Sequence, residues 1–496
     1  MARGSKSRRS PLGVRLSPLQ MSPKQPKSAA GGSPTAATRG PARAVAVVLA
    51  AGLGTRMKSR TPKVLHPLCG RPMLAYVIDA ARAATGQKPL VVYSPRTDAL
   101  REAFATKARF ALQKKPLGTG DALAAAVAVL PRETREIVVL SGDVPLIEAA
   151  SVSAMLAARR RAKAVMALAV VEMDDPTGYG RVQSGPTGTV ERIVEEKDAS
   201  DRQRAGKLIN AGLYAFDVAW LRKALPRLTK SSTTGEFYLT KLVELANADG
   251  KPAVAVEQPA DSDWESELVG INDRADLAEA QLFLQYSILQ RLMEAGVTLH
   301  DPGSATIEAT VRIAPDVTIE PNVILRGATR IGRETVVKAG SQLIDTRVGE
   351  RCEIWASVIE ESEVGNDVRI GPFAHLRGGC VVGDGAEVGS FAEQKNTRFG
   401  AGSKQHHFSY LGDAEVGAKV NIGAGTITAN YDGERKHTTV IGDGAFIGSD
   451  TILRAPLTVG KGAYTGAGSV VTRDVPAGKL AVGVPARIRE RVVRKG

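Results

Sequence analysis

Hydrophobic residues follow two rhythms along this chain. As far as about residue 271 they come in short continuous runs: VAVVLA from Val45, then PLVVYS, EIVVLSGD, AVMALAVV and LINAGLYAF. Helical patterns such as MLAYVIDAARAA and DALAAAVAVL lie between several of them. Strands buried on both faces of a parallel sheet need such unbroken aliphatic runs, so the alternation predicts a doubly wound α/β domain over 45–271. Residues 272–300 read as a helical linker, with Leu277, Ala280, Leu284, Ile288 and Leu292 on one stripe.

From about 301 the period is six. Ile307, Ile313, Ile319, Leu325, Ile331, Val337 and Leu343 keep it, and Val364, Ile370, Leu376, Val382 and Val388 resume it after a slip. Pairs such as Ile331-Gly332 and Ile447-Gly448 mark the turns. Each hexad is a short strand plus a turn whose aliphatic residue points inward, and only neighbouring coils can complete its hydrogen bonds. The spacing predicts a left-handed parallel β-helix of hexapeptide repeats over 301–480, with 481–496 as a tail. Stretches 394–410 and 424–440 interrupt the rhythm and read as insertions, where function tends to sit on such a rod.

Composition supports a narrow core: only 4% of the 496 residues are aromatic, and 51 are glycine. The net charge of +14 is mostly a property of residues 1–44, which hold nine bases and no acid and leave +5 for the rest. That segment is rich in Ser, Pro, Gly and Ala and is expected to be disordered; the folded part gives no reason to expect nucleic acid. No apolar run approaches the ~20 residues of a membrane helix, so no membrane insertion is expected. Cys69, Cys352 and Cys380 are too scattered for a disulfide framework, which fits a reducing cytoplasm.

The first strand runs into Leu49-Ala50-Ala51-Gly52-Leu-Gly54-Thr55-Arg56-Met57, followed by Pro62-Lys63. Glycines after a buried strand let backbone N–H groups approach an anion, and Arg56 and Lys63 bring positive charge to the same place. A nucleoside triphosphate is the natural ligand. Asp143 in SGDVP ends a hydrophobic strand, where a parallel sheet presents ligands; a helix cap or turn former is the plainer reading of such an Asp. In the rod, Lys395, Lys404, His406, His407 and Tyr410 form a polar cluster in a repetitive background.

The glycine-loop string resembles the signature of the sugar-1-phosphate nucleotidyltransferases. Together with the hexads, and with GPFAHLR, EVGSFAEQK, GSKQHHFSYLGDAEVG and NIGAGTITANYDG, it resembles the bifunctional N-acetylglucosamine-1-phosphate uridylyltransferase/glucosamine-1-phosphate acetyltransferases of bacterial cell-wall precursor synthesis. The resemblance covers about 45–480. It implies that the loop from Leu49 to Gly54, with Lys63 and Arg56, binds the phosphates of UTP and assists catalysis. Gln113, Gly118 and Thr119 would hold the uracil, and Asp143 and Asn272 a Mg²⁺ ion. Gly180, Glu195, Asn210 and Asn272 would hold N-acetylglucosamine 1-phosphate.

In the second half the same resemblance makes His407 the general base. Arg377, Lys395, Tyr410, Asn421 and Lys436 would bind glucosamine 1-phosphate. Asn430, Tyr431, Ser449, Ala467 and Arg487 would contact acetyl-CoA, and a homotrimer built through the β-helices would form each acetyl site between subunits. Two departures touch the sugar pocket: Lys241 follows GEFYLT, and Ser141 stands where some relatives have Tyr. Two other readings remain open at this level. The rod could be purely structural or regulatory beside a monofunctional nucleotidyltransferase, or the chain could be a catalytically silent scaffold, which the presence of Lys63 and Asp143 disfavours.

Overall fold

The computed structural model describes residues 44–185, 189–258 and 263–490; the basic extension 1–44 expected to be disordered lies outside them except for Ala44, which is buried. The chain divides into two compact units, 1–281 and 282–496.

In the first unit seven strands make the main path of a sheet: β1 (Val45–Leu49), β2 (Leu90–Tyr93), β3 (Arg109–Leu112), β4 (Glu136–Ser141), β5 (Met166–Glu172), β6 (Leu208–Asp217) and β7 (Val254–Val256). Their order is β7-β5-β6-β4-β1-β2-β3, and only β6 runs antiparallel to its neighbours. The aliphatic runs have the expected cause. Ala46 and Val48 face one core with Leu74, Ile78 and Met155, while Val45 and Val47 face the other with Leu123, Phe216 and Leu221. From β1 the chain builds β2 and β3 on one side and then crosses to β4 on the other. The reversal opens a crevice at the carboxyl ends of β1 and β4. Antiparallel β6 carries a bulge between Asn210 and Tyr214, with Gly212 at φ +78°; glycine is the residue that adopts this conformation freely.

The long helix Arg274–Glu294 starts in the first unit and ends in the second. The rod that follows has three sides of twelve, ten and nine strands, each coil giving one short parallel strand to each side. Ile307, Leu325, Leu343, Ile359 and Leu376 are fully buried along one inner column. The slip in the hexads comes from shortened corners. Thr306 lies opposite Ile324, eighteen residues on, but Gln342 lies opposite Val358, only sixteen on. Regular strand pairing starts at Thr298 and ends in an antiparallel pair, Leu480–Gly483 with Ala486–Arg489. All of that pair except Leu480 lies in 481–496, the stretch read as a tail; so short a hairpin leaves no hexad signature.

One expectation is overturned. Residues 394–410 are not an insertion: Ala392–Lys395, Arg398–Phe399, Lys404–Gln405 and Ser409–Gly412 pair in register with the coils on either side. The rhythm looked broken because Gln394 and Gln405, both fully buried, take inward slots where an aliphatic residue was sought. The interruption at 424–440 does contain extra chain. Tyr410 lies opposite Ile427, seventeen on, but Ile427 lies opposite Ile452, twenty-five on. The surplus folds as a hairpin closed by Tyr431 and Lys436. No helix among the described residues is long and apolar enough to cross a membrane.

Candidate functional sites

The crevice collects the glycine loop. The Leu49 carbonyl accepts from Gly142 N at 2.9 Å, Ala50 N donates to Val92 O at 2.9 Å, and Ser94 Oγ donates to Ala51 O at 3.0 Å, so the strand end is tied to β2 and β4. Gly52 has open space beside it, and Gly54 sits at φ +58°. A Cβ on Gly54 would stand 2.4 Å from Lys63 Cβ; the missing side chain is what lets Lys63 cross the loop. The Lys63 ammonium pairs with the Asp143 carboxylate, both side chains largely buried. Arg56 is exposed on the turn Thr55–Met57.

Asp143 O accepts from Ile271 N at 2.9 Å, which brings the next residue, Asn272, beside it. Asn272 Nδ2 donates to Gly270 O at 3.0 Å, and its Oδ1 accepts no hydrogen bond among the described residues. Asp276 Oδ2 accepts from the backbone N–H of Asn272 (2.7 Å) and Asp273 (3.3 Å), fixing this turn at the helix start. Tyr179, which the sequence reading passed over inside TGYGR, accepts from Gly270 N at 3.3 Å. Burial, then the charges of Asp143 and Asp276, push its phenol pKa up. The donor set is thus one carboxylate and one amide oxygen, a hard-oxygen pair that suits Mg²⁺ completed by phosphate and water.

Buried Gln113 donates through Nε2 to Gly118 O (3.0 Å) and Asp121 Oδ2 (2.8 Å). Gly118, at φ +108°, lies so close to the next segment that a Cβ would stand 2.5 Å from Phe237 O. Gly120 N donates to that same oxygen at 2.8 Å, and Thr119 Oγ1 accepts from Leu239 N at 3.0 Å. The Gly118-Thr119 step is therefore clamped against 237–239, the stretch that leads into Lys241.

Gly180, Glu195 and Asn210 form a third group. Asn210 N donates to Gly180 O at 2.9 Å, and a Cβ on Gly180 would meet Glu195 Oε2 at 3.7 Å. Burial raises the Glu195 carboxyl above its ordinary value, against the opposing bond from Thr240 Oγ1 at 2.8 Å. Asn210 Nδ2 donates to the buried Tyr214 hydroxyl at 2.5 Å. Ser141 faces the bulge, its Oγ 3.6 Å from where a Gly212 Cβ would lie.

On the rod, the corner between the twelve- and ten-stranded sides holds a cavity of about 370 Å³ whose lining includes His406, His407, Asn421, Ser449 and Ala467. The two histidines differ. His406 Nε2 lies 3.0 Å from Glu387 Oε2, and Lys404 Nζ lies 3.2 Å from the other carboxylate oxygen. Burial works against the Glu387 charge, but Lys404 and His406 hold its carboxyl below the usual range. The His407 imidazole makes no hydrogen bond among the described residues, so its nitrogens are uncommitted.

The opposite edge of the ten-stranded side gathers cations. Arg377 lies in register with Lys395, and Lys395 with Gly412. A Cβ on Gly412 would meet the Tyr410 hydroxyl at 2.3 Å and Asn430 Nδ2 at 2.8 Å, so these also converge there. The Lys436 ammonium, with burial and Arg377 adding, pushes Lys395 below the ordinary lysine value. Glu393 Oε1 holds Arg377 Nη1 at 2.8 Å. Tyr431 is exposed on the hairpin, and Arg487 is exposed on the final strand pair opposite Val482, whose side chain packs beside Gly466. Neither lines the cavity. The cavity set and the cation set sit at the two ends of strands of three or four residues, about 10–13 Å apart at ~3.3 Å per residue.

Residues 45–266 match the nucleotidyl transferase family, and residues 361–393 and 438–473 match the bacterial transferase hexapeptide (six repeats) family. The chain is similar over most of its length to curated bifunctional GlmU proteins. That of Heliobacterium modesticaldum is 44% identical over 437 residues, covering 88% of this chain and 94% of the relative. That of Pelobacter propionicus is 45% identical over 442 residues, covering 88% and 95%. That of Geobacillus sp. (strain WCH70) is 42% identical over 445 residues, covering 90% and 95%.

Proposed function

The chain belongs to the family of bifunctional GlmU proteins, and from that premise we propose how its two halves make UDP-N-acetylglucosamine. The rod transfers the acetyl group of acetyl-CoA to glucosamine 1-phosphate. The α/β unit then joins the resulting N-acetylglucosamine 1-phosphate to UTP and releases pyrophosphate.

For acetyl transfer the ammonium of glucosamine 1-phosphate must lose a proton before its lone pair can attack the thioester. His407, the uncommitted imidazole of the cavity, takes that proton, a task suited to histidine near neutral pH. The C–N bond forms, the C–S bond breaks, and the coenzyme leaves as its thiol. Arg377, Lys395 and Lys436, with Tyr410, bind the phosphate. In one rod this cation edge and the cavity are a strand's length apart, which supports sites completed between subunits of a homotrimer. Trp355, Phe373, Phe391 and Phe408 support it too: all four stand exposed along the cavity's corner of the rod. The reducing cytoplasm remains the proposed compartment.

For uridylyl transfer a phosphate oxygen of the sugar attacks the α-phosphorus of UTP, and the bond to pyrophosphate breaks. Lys63 and Arg56 offset the repulsion between the two anions, the glycine loop receives the phosphates, and Gln113, Gly118 and Thr119 frame the base. Gly180, Glu195 and Asn210 hold the sugar. Asp143 and Asn272 would hold Mg²⁺, which when bound would supply positive charge to offset the negative charge of the phosphates. No enzyme nucleophile is needed; positioning and electrostatics suffice.

The observation that carries the two-activity reading is the cavity that brings an unbonded His407 together with Asn421, Ser449 and Ala467. The test supplies glucosamine 1-phosphate, acetyl-CoA, UTP and Mg²⁺ and follows free thiol and pyrophosphate separately. Both should appear. Asp143→Ala should abolish pyrophosphate release and leave thiol release near normal; thiol release absent from the unaltered protein would favour a purely structural rod.

A further inference from the structure

The rod's interior is made mainly of aliphatic columns; besides small hydroxyl residues such as Thr428 and Thr465, two of its inward slots hold glutamine. Gln394 sits between Leu376 and Leu411 on the ten-stranded side, and Gln405 sits between Val388 and Ile422 on the twelve-stranded side. Both are fully buried, and they are the only glutamines among the described buried residues of the rod. Burying an amide costs free energy unless its polar atoms are bonded, and an apolar pair of similar shape would serve packing at least as well.

These amides form a chain with a direction. Gln394 Nε2 donates to Gln405 Oε1 at 2.7 Å, Gln405 Nε2 donates to Ser409 Oγ at 2.9 Å, and Ser409 Oγ donates to His407 O at 2.9 Å. Every link passes donor to acceptor, and the chain ends on the backbone of the residue that carries the cavity's free imidazole. Gln394 Oε1 is left without a partner among the described residues, so the arrangement is not the one packing alone would choose. We infer that Gln394, Gln405 and Ser409 are positioning residues for acetyl transfer: a buried amide relay that fixes the His407 carbonyl, and with it the direction in which the imidazole enters the cavity. The inference rests on His407 being the base.

Three variants test it, with uridylyl transfer as the control for an intact protein. Ser409→Ala cuts the last link and should lower the acetyl-transfer kcat about 10–100-fold, the scale of a 1 Å misplacement, with KM for both substrates changed less than about twofold. Ser409→Thr keeps the hydroxyl and should retain activity; Thr426 occupies the same register position one coil on. Gln394→Met with Gln405→Leu should lower kcat similarly while Tm stays level or rises, which a structural role would not produce. Unchanged kcat in Ser409→Ala, or a loss that tracks a fall in Tm, overturns the inference. If the double variant does not fold, the two Ser409 variants decide. His407→Ala run alongside separates the premise: activity surviving there refutes the base assignment, whereas its loss with intact Ser409→Ala refutes only the relay.

Discussion

Two adjacent histidines differ in what they are already bonded to. His406 is spent on Glu387, whereas His407 stands free in the same cavity. His407→Ala should therefore cost about 10²–10⁴-fold in acetyl transfer, the usual worth of a positioned general base, and His406→Ala far less; thiol-release rates decide, and the reverse ranking would overturn the assignment. Glu195 shows a different tension. Burial raises its folded carboxyl pKa above the unfolded value, so the native state holds the proton more tightly. The stability this gives is present in acid and lost as pH rises through the folded value. Glu195→Gln cannot ionise and still accepts from Thr240. Its Tm should match or exceed that of the unaltered protein at pH 8, and the gain should vanish near pH 4. Its KM for N-acetylglucosamine 1-phosphate should rise about tenfold or more, as the loss of a hydrogen bond to a charged group implies. A lower Tm at pH 8 would show that the buried charge is compensated after all.

Elements were legible where one residue type repeats for one reason. The aliphatic runs of β1 and β4 reveal a sheet covered on both faces, and the six-residue period reveals the rod, because burial writes directly into hydrophobicity. Gln394 and Gln405 were misread for the same reason: they are inward-facing, but their burial is satisfied by hydrogen bonds that periodicity does not record. The antiparallel run of β6 and the Asn210 bulge were equally silent, since strand direction depends on tertiary pairing. Motif and resemblance single out the glycine loop, Asp143 and His407 in the sequence, whereas the contacts of Tyr179 with Gly270 and of Glu387 with His406 emerge only from distances. Gly118 shows how closely elements fit where function sits. At φ +108° and against a backbone oxygen, Gly118→Ala must either strain itself or displace 237–239. Strain of about 1–3 kcal/mol, drawn from nucleotide binding, corresponds to roughly 5- to 150-fold in KM for UTP. Steady-state kinetics with UTP varied would show it, with acetyl transfer unaffected; an unchanged KM would mean that the clamp on Thr119 has no part in holding the base.

At the scale of the whole molecule, the two activities should respond differently to the assembly state. All the residues proposed for uridylyl transfer, Lys63, Asp143, Asn272, Gly118 and Glu195 among them, belong to the α/β unit of one chain, so that activity should need no second copy. The proposed acetyl machinery is divided across the width of one rod face, the His407 imidazole at one corner and the cations proposed to bind phosphate at the other. A shared site between neighbouring rods would reunite them, and the exposed corner offers the contact: Phe373 and Phe391 stack with ring centroids 5.3 Å apart on a rod otherwise poor in aromatics. Their exposure, 58% and 64%, is high for phenylalanine, and apolar surface of this kind marks an interaction site. Phe391→Asp places a charge there while leaving every proposed binding residue in place. Sedimentation should then show a smaller species than the unaltered protein, acetyl transfer should fall by at least about tenfold, and its remaining rate per chain should rise with protein concentration. Uridylyl transfer should hold at all concentrations. If the variant sediments as a monomer yet acetylates at the full rate, one rod contains a complete site, and the cation edge is not part of it.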